Sequence, residues 1–134
     1  YADYPWGNDG VDGKKLNFCD MNCSNSWLNK TVNDKFSKTS PIGNYKDGVT
    51  DSGLYDLAGN VWEWVADWHS ANYYSATSST DPNPLGPESG LFRVLRGGSW
   101  YDQESNILVY KRYQLNPATN NDMIGFRCAR DATP

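Results

Sequence analysis

The chain has no concentrated positive charge and no long apolar run, and both absences exclude whole classes of protein. Of its 134 residues, 12 are lysine or arginine and 16 are aspartate or glutamate, which gives a formal charge of −4. Scattered basic residues in a net acidic chain do not suit a nucleic-acid backbone, so we expect no nucleic-acid partner. No apolar run approaches the about 20 residues of a membrane-spanning helix, so we expect no direct membrane span.

Histidine and cysteine are also scarce. The only histidine is His69, and the three cysteines are Cys19, Cys23 and Cys128. Because a structural zinc ion takes about four ligands and His69 is distant in sequence, such a site is disfavoured. Cys19 and Cys23 are close enough to bridge across a tight turn or to share a metal, and we predict a disulfide if the domain works outside the cytoplasm. Cys128 is then left over, and a small buried thiol beside a strand is one interpretation of it.

Aromatic residues, in contrast, are abundant. The chain contains 6 tryptophans, 9 tyrosines and 4 phenylalanines, although its mean hydropathy is only −0.74. Disordered tails contain few aromatic residues, so this composition predicts a folded, polar, loop-rich chain. The length suits one core, and we predict a single domain over residues 1–134.

Short apolar segments separated by turn-forming residues predict a small sheet with much irregular loop. Helical periodicity is almost absent, whereas residues 60–68 alternate with the period of a strand. That alternation places Trp62, Trp64, Ala66 and Trp68 on one face, and Val61, Glu63, Val65 and Asp67 on the other. We predict further strands at 92–100 and 124–129, a short helix or strand at 107–110, and loops over 1–53 and 70–90.

Four segments in order resemble one family. They are Tyr-Pro-Trp-Gly-Asn at 4–8, Gly-Leu-Tyr-Asp-Leu-Ala-Gly-Asn-Val-Trp-Glu-Trp at 53–64, Arg-Gly-Gly-Ser-Trp at 96–100 and Gly-Phe-Arg-Cys-Ala at 125–129. Together they are similar to the formylglycine-generating enzyme, or sulfatase-modifying factor, family. The resemblance implies an α+β, C-type-lectin-like fold with short antiparallel strands and little regular secondary structure. It covers only the C-terminal half of the family domain, so the first half would come from upstream sequence or from another chain.

The chemistry of that family does not carry over to this chain. Its oxidases convert a substrate cysteine to formylglycine with Cu(I) held by two cysteines, three and eight positions beyond the serine of the Arg-Gly-Gly-Ser element. Counting from Ser99, those positions are Asp102 and Ile107. A carboxylate and an aliphatic side chain cannot replace two thiolates on a soft ion. We therefore expect no copper and no catalytic residue, and predict a non-catalytic module of a larger bacterial protein or assembly.

The resemblance also implies calcium, held by side-chain and backbone oxygens as a hard cation requires. One family site maps onto Asn17, Phe18, Asp34 and Phe36, and a second onto Gly59, Asn60, Val61 and Glu63. Asn60 and Glu63 could instead brace the turn that contains them. A carboxylate inside an apolar strand needs a counter-charge, which either calcium, Arg96 or Arg127 could supply.

The C-terminal third is rich in the residue types of adaptable recognition surfaces. We predict a ligand-binding surface there, made of Trp100, Tyr101, Asp102, Glu104, Asn106, Tyr110 and Tyr113. Trp100 and Tyr110 could instead belong to the core. The expected partner is a protein or peptide ligand, the missing N-terminal half of the domain, or another chain of an assembly. The expected location is extracytoplasmic or at the cell surface. Two alternatives stay open. One is a formylglycine-generating oxidase or related protein-modifying enzyme completed by missing sequence, and the other is a diversified ligand-binding protein like the variable proteins of retroelements.

Overall fold

A computed structural model of the chain describes residues 2–76 and 84–130, and its centre is a four-stranded sheet. Strands β1 (Trp62–Trp68), β2 (Arg93–Arg96), β3 (Tyr113–Leu115) and β4 (Ile124–Gly125) lie in the order β3-β2-β1-β4. β2 is antiparallel to β1 and β3, whereas β4 is parallel to β1. The described helical pieces are one helical turn, α1 (Tyr73–Ala76), and two 3-10 turns, Lys46–Gly48 and Glu104–Asn106. The sheet is therefore mixed: it contains the predicted short antiparallel strands and one parallel pair.

The register of the strands gathers aromatic and apolar side chains on one face of the sheet. Trp64 pairs with Leu95, and Leu95 pairs with Tyr113, so these three residues point to the same side. Trp62 lies two residues before Trp64 and pairs with Ile124 of β4, which adds both to this face. The predicted alternation is confirmed for the start of β1. An irregularity in the register between Trp64 and Trp68 interrupts it, and Ala66 is exposed.

Two glycines end β2 earlier than the sequence predicted. Gly97 and Gly98 have φ angles of 96° and 78°, in the left-handed region that favours glycine. A Cβ on Gly98 would collide with Ile107, so this position also needs the absence of a side chain. The predicted strand 92–100 therefore stops at Arg96. The turn that follows brings the 99–107 segment back over the sheet.

Other boundaries differ as well. The predicted strand 124–129 contains only β4, and residues 107–110 form a turn in which the Lys111 N–H donates to the Leu108 carbonyl at 2.9 Å. β3 was not predicted because three residues are too short to show an alternation. In the predicted loop 70–90, residues 73–76 form α1, and residues 77–83 lie outside the described part of the chain.

The apolar core lies beside the sheet and is built largely from loop residues. Its buried members are Leu16, Phe18, Ala58 and Ile107. Half-buried residues pack around them, namely Tyr4, Trp6, Val11 and Val32. A few apolar side chains thus hold the long N-terminal region in place. Its buried backbone N–H and C=O groups must form their hydrogen bonds outside the sheet.

A disulfide closes one loop of this region. Cys19 and Cys23 are bonded, with their Cα atoms 5.1 Å apart, and Cys19 is fully buried. The Cys19 N–H donates to the Asp102 carbonyl at 3.0 Å, which ties the closed loop to the segment after β2. Cys128 is exposed, so the interpretation of it as a buried thiol is wrong. Its strand ends at Gly125, three residues before the thiol.

We expect one free thiol per denatured chain, that of Cys128, in protein never treated with reductant. Replacing both bridged cysteines by serine should lower the free energy of unfolding by about 2 kcal/mol, because the unfolded chain gains freedom in a short loop. Chemical denaturation measures this loss, and Cys128→Ser is the matched control that should leave stability unchanged. Three free thiols in unreduced protein would contradict the disulfide.

Candidate functional site

A cleft of about 560 Å³ lies on the aromatic face of the sheet. Its floor comes from all the strands except β2, and its walls come from the turn after β2 and the segment before β4. The lining residues are Trp62, Tyr101, Asp102, Asn106, Lys111, Arg112, Tyr113, Leu115, Thr119, Asn121, Met123 and Ile124. A concave, mainly apolar site with a few convergent polar groups is the usual form of a ligand pocket.

The carboxylate of Asp102 holds one wall of this cleft. Its Oδ2 accepts hydrogen bonds from Trp62 Nε1 at 2.8 Å, from Ser99 N at 3.0 Å and from Ser99 Oγ at 2.6 Å. Its Oδ1 accepts from Asn106 Nδ2 at 3.1 Å. One side chain therefore links β1, the turn after β2 and the 3-10 turn Glu104–Asn106. With four donors on two oxygens, the carboxylate is committed to the chain itself.

Ile107 has a different environment. It is 1% exposed, belongs to the apolar core and does not line the cleft. In the oxidases of the family that this sequence resembles, these two positions carry thiolates. Here position 102 is a hydrogen-bonded carboxylate and position 107 is an apolar side chain of the core.

The cleft unites four of the seven residues predicted to form a ligand-binding surface, namely Tyr101, Asp102, Asn106 and Tyr113. Trp100 is instead buried, and its Nε1 donates to the Asp122 carbonyl at 3.1 Å. The Glu104 carboxylate accepts from Asn29 Nδ2 in a separate cavity beside the disulfide. Tyr110 is exposed, but it borders another hollow, with Val109 and Tyr74.

Sequence reasoning missed the charged and apolar parts of the cleft. Lys111 and Arg112 stand directly before Tyr113, so their position in the chain could have indicated them. Trp62 was predicted as a strand residue, and its role in the floor follows only from the pairing of β1 with β4. Leu115, Met123 and Ile124 show no pattern that would assign them to a site.

Two buried carboxylates lie close to the first set of residues assigned to calcium. Asp34 and Asp20 are 1% and 0% exposed, and the Asp34 N–H donates to the Asp20 carboxylate. Asp34 also accepts from Phe18 N at 3.0 Å and from Phe36 N at 2.8 Å. Burial, with a smaller contribution from the Asp20 charge, raises the pKa of Asp34 to about 6. Among the described residues, no lysine or arginine forms a salt bridge with either carboxylate.

An unsatisfied oxygen lies in the same set. Asn17 is 1% exposed, and its Oδ1 has no hydrogen-bond partner in the described part of the chain. An uncompensated carboxylate and an orphaned amide oxygen are the donor types of a hard cation such as Ca²⁺. In residues 2–76 and 84–130 no three Cys, His, Asp or Glu side chains converge on a metal position, so such a site would depend on amide and carbonyl oxygens.

The second set has its charge partner within the chain. Glu63 forms a bidentate pair with Arg127, with two N–O distances of 2.5 Å. Arg127 also donates to the Tyr55 and Asp56 carbonyls at 3.0 Å. Arg127 is thus the counter-charge that the sequence had left as an alternative to calcium.

The other members of this set occupy a tight turn. Asn60, at φ 62°, accepts from Ser40 N at 3.0 Å and from Asn17 Nδ2 at 3.3 Å. Gly59 donates to the Gly97 carbonyl at 2.8 Å, and Val61 packs close to Gly125. Asn60 and Glu63 therefore brace the turn in this structure, and calcium at the second set stays a prediction.

Comparison with known proteins identifies relatives over nearly the whole chain. The profile of the family described as "Sulfatase-modifying factor enzyme 1-like domain" matches residues 1–132. The serine/threonine-protein kinase Pkn1 of Chlamydia trachomatis is 37% identical over 96% of this chain and 18% of its own length. The formylglycine-generating enzyme of Streptomyces coelicolor is 36% identical over 96% of this chain and 40% of its own length. The chain thus spans less than half of either relative.

A solved structure shares the fold. The Treponema denticola variable protein 1 superimposes with a TM-score of 0.64 and 31% identity, over 92% of this chain and 40% of that protein. Its agreement with the sheet and loops described above confirms the predicted C-type-lectin-like fold. Among the described residues, no helix is long and apolar enough to cross a membrane.

We expect Asp102→Ala to lower the free energy of unfolding by about 2–4 kcal/mol. The substitution leaves the hydrogen-bond donors of Trp62, Ser99 and Asn106 without an acceptor in partly buried positions. Chemical denaturation measures the change. Asp51→Ala, which removes an exposed carboxylate, is the control and should stay within about 0.5 kcal/mol of the parent. Equal stability of both variants would show that Asp102 does not brace the cleft.

Proposed function

Because the chain belongs to the sulfatase-modifying factor enzyme 1-like domain family, we propose that it is a non-catalytic, ligand-binding member of that family. The main support for this proposal is that the Asp102 carboxylate already accepts four hydrogen bonds from donors within the chain. A side chain that braces the wall is unavailable as a metal ligand, and Ile107 offers no donor atom. The cleft beside them keeps the shape and lining of a binding site.

A second candidate is a diversified ligand-binding protein. Two observations favour it: the similarity to the Treponema denticola variable protein 1, and the tyrosine and asparagine side chains that line the cleft between Tyr101 and Asn121. Both candidates use the same cleft, but this one requires that the codons lining it differ among isolates while the rest of the gene stays constant. An oxidase completed by sequence outside this chain remains the contrary hypothesis.

The module would act as part of a larger extracytoplasmic or cell-surface protein. A disulfide is typical of oxidising compartments, and the Cys19–Cys23 bridge supports that location. Apolar side chains are exposed around the Glu63–Arg127 pair, with Ile42 92% and Phe126 75% accessible. Exposed apolar surface of this kind suits contact with the remainder of a family domain or with another chain.

Titration with Cu(I) tests the proposal. In the Cys128→Ser background the chain has no free thiol, since Cys19 and Cys23 are bonded. We expect no stoichiometric Cu(I) binding against a chromophoric competitor, and no oxygen consumption with a cysteine-containing peptide. The parent chain with Cys128 present is the control for adventitious copper.

The contrary outcome is equally measurable. One equivalent of tightly bound Cu(I) in the Cys128→Ser variant, together with an aldehyde on the peptide, would establish the oxidase. Asp102→Ala should then alter copper affinity, whereas under the present proposal it alters only stability and the shape of the cleft.

We further propose that calcium stabilises the loops around Asn17 and Asp34. Bound by the folded state alone, an ion at a hundred times its dissociation constant would add about 2.7 kcal/mol to the free energy of unfolding. The buried, uncompensated Asp34 and the orphaned Asn17 Oδ1 support this site.

Calcium removal should therefore lower the melting temperature by several degrees at neutral pH. In chelator, the raised pKa of Asp34 makes its contribution to stability fall as the pH rises from about 4 to 6, because the folded state must then hold a buried carboxylate. Asp34→Asn should abolish both the calcium effect and this pH-dependent loss. Melting scans in chelator and in millimolar calcium measure both.

Two control variants sharpen the test. Asp51→Asn changes an exposed carboxylate and should leave the calcium effect intact. Glu63→Gln separates the two sets of residues: it should disturb the Arg127 pair without removing the calcium effect if only the first set binds the ion. Melting curves that coincide in chelator and calcium would contradict calcium binding.

A further inference from the structure

We infer that the ligand of the cleft is an extended peptide in which acidic and apolar side chains stand two residues apart, so that both point to the same side of the strand. This inference rests on the proposed function and specifies the partner of the same cleft. It follows from three properties of the lining: uncompensated positive charge, an apolar floor and an adjacent sheet edge.

The charge of the cleft is positive although the chain is acidic. Lys111 and Arg112 both line it, and neither forms a salt bridge within the described residues. Within the part of the chain that the structure describes, Asp102 is the only acidic side chain of the lining, and its oxygens already accept hydrogen bonds from donors of the chain. Asp102 is thus less able to compete for the two cations, and an incoming carboxylate can pair with them.

Arg112 is held in position before a ligand arrives. Its guanidinium carbon lies 4.4 Å from the centroid of the Tyr74 ring, in the geometry of a cation–π contact. A cation fixed in this way loses less side-chain entropy when it binds an anion. The net charge of the chain is −4, so its overall electrostatic field does not attract an acidic ligand. The attraction must come from the two cations in the cleft.

The floor of the cleft suits an apolar side chain. Trp62 and Tyr113 rings lie with their centroids 5.6 Å apart, and Ile124 pairs with Trp62 along the neighbouring strand. Tyr113 is 51% exposed, so a bound group can still bury much of its ring. Leu115 and Met123 extend the apolar surface. A ligand that carries only charges would leave this surface in water, which costs the hydrophobic part of the binding energy.

The free edge of β3 favours a peptide over other acidic ligands. Among the described residues β3 is the last strand of the sheet, and its backbone pairs there with β2 on one side only. An extended peptide can add to such an edge through its own backbone, while alternate side chains reach the cleft. A sugar acid offers no backbone for this pairing, and the saturated Asp102 carboxylate has little capacity left for sugar hydroxyls.

Fluorescence anisotropy with a defined peptide pair tests the inference. The probe is fluorescein-labelled Ser-Glu-Ser-Val-Ser-Glu-Ser with an amidated C-terminus, in which the glutamates and the valine share one side of the strand, and its neutral counterpart is Ser-Gln-Ser-Val-Ser-Gln-Ser. We expect the acidic peptide to bind about tenfold or more tightly than the neutral one at low salt, because hydrogen bonds between charged groups are stronger than those between neutral groups. The difference should shrink at high salt.

Matched variants locate the binding. Lys111→Gln combined with Arg112→Gln should remove the preference for the acidic peptide. Lys14→Gln combined with Lys46→Gln removes the same charge from exposed residues outside the cleft and should change affinity less than about twofold. Backbone N-methylation of the probe should weaken binding if the peptide pairs with β3. Melting curves of the parent and of the two double variants check that each protein is folded.

Each other outcome overturns the inference in a distinct way. Equal binding of both peptides would show that the cleft binds peptides without selecting acidic side chains. Acidic binding that survives in the Lys111/Arg112 variant would place the site elsewhere. Binding of trigalacturonate with neither peptide bound would assign the cleft to an acidic sugar. Failure of all three probes would refute the acidic ligand, and the copper titration would still decide independently whether the chain is an oxidase.

Discussion

The hydrogen bonds around Asp102 are the constraint on which the C-terminal half of the structure depends. Through its side chain this residue joins β1 to the turn after β2 and to the 3-10 turn Glu104–Asn106. Through its carbonyl it accepts the N–H of Cys19, which connects the disulfide loop to the same point. The wall of the cleft, the end of β2 and the N-terminal loops therefore share one anchor. A metal-binding side chain at this position could not serve all these contacts at once.

Polar contacts carry much of the remaining structure because regular elements are few. Asn17, Ser40 and Asn60 form a buried group in which side-chain amides replace the strand partners that the loops lack. The apolar cluster beside it has four buried members among the residues that the structure describes. In such a fold an orphaned oxygen or a buried carboxylate without a counter-charge costs stability, and the proposal of a cation beside Asp34 and Asn17 rests on this cost.

The sequence predicted the fold through its motifs, and it predicted the chemistry less completely. The segments 53–64, 96–100 and 125–129 indicated the family, and the alternation of Trp62 and Trp64 located β1. The bounds of β2 depended on the left-handed Gly97 and Gly98, and β3 was too short to show a period. The cleft could be predicted only in part, because Trp62 and Ile124 meet through the parallel pairing of β1 and β4, which no local pattern contains. The sequence likewise could not decide whether Arg96, Arg127 or calcium balances the charge of Glu63, because Arg127 reaches Glu63 only in the folded chain.

The indole N–H of Trp62 provides the most direct test that position 102 is a structural brace and not a metal-ligand position. In a ¹⁵N NMR spectrum of the Cys128→Ser chain, we expect this one of the six indole signals to exchange slowly with solvent and to stay unchanged when Cu(I) is added. It should lose its protection in Asp102→Ala. Two results would contradict the account: rapid solvent exchange of the Trp62 indole N–H in the Cys128→Ser chain, or a stoichiometric shift of its signal with Cu(I).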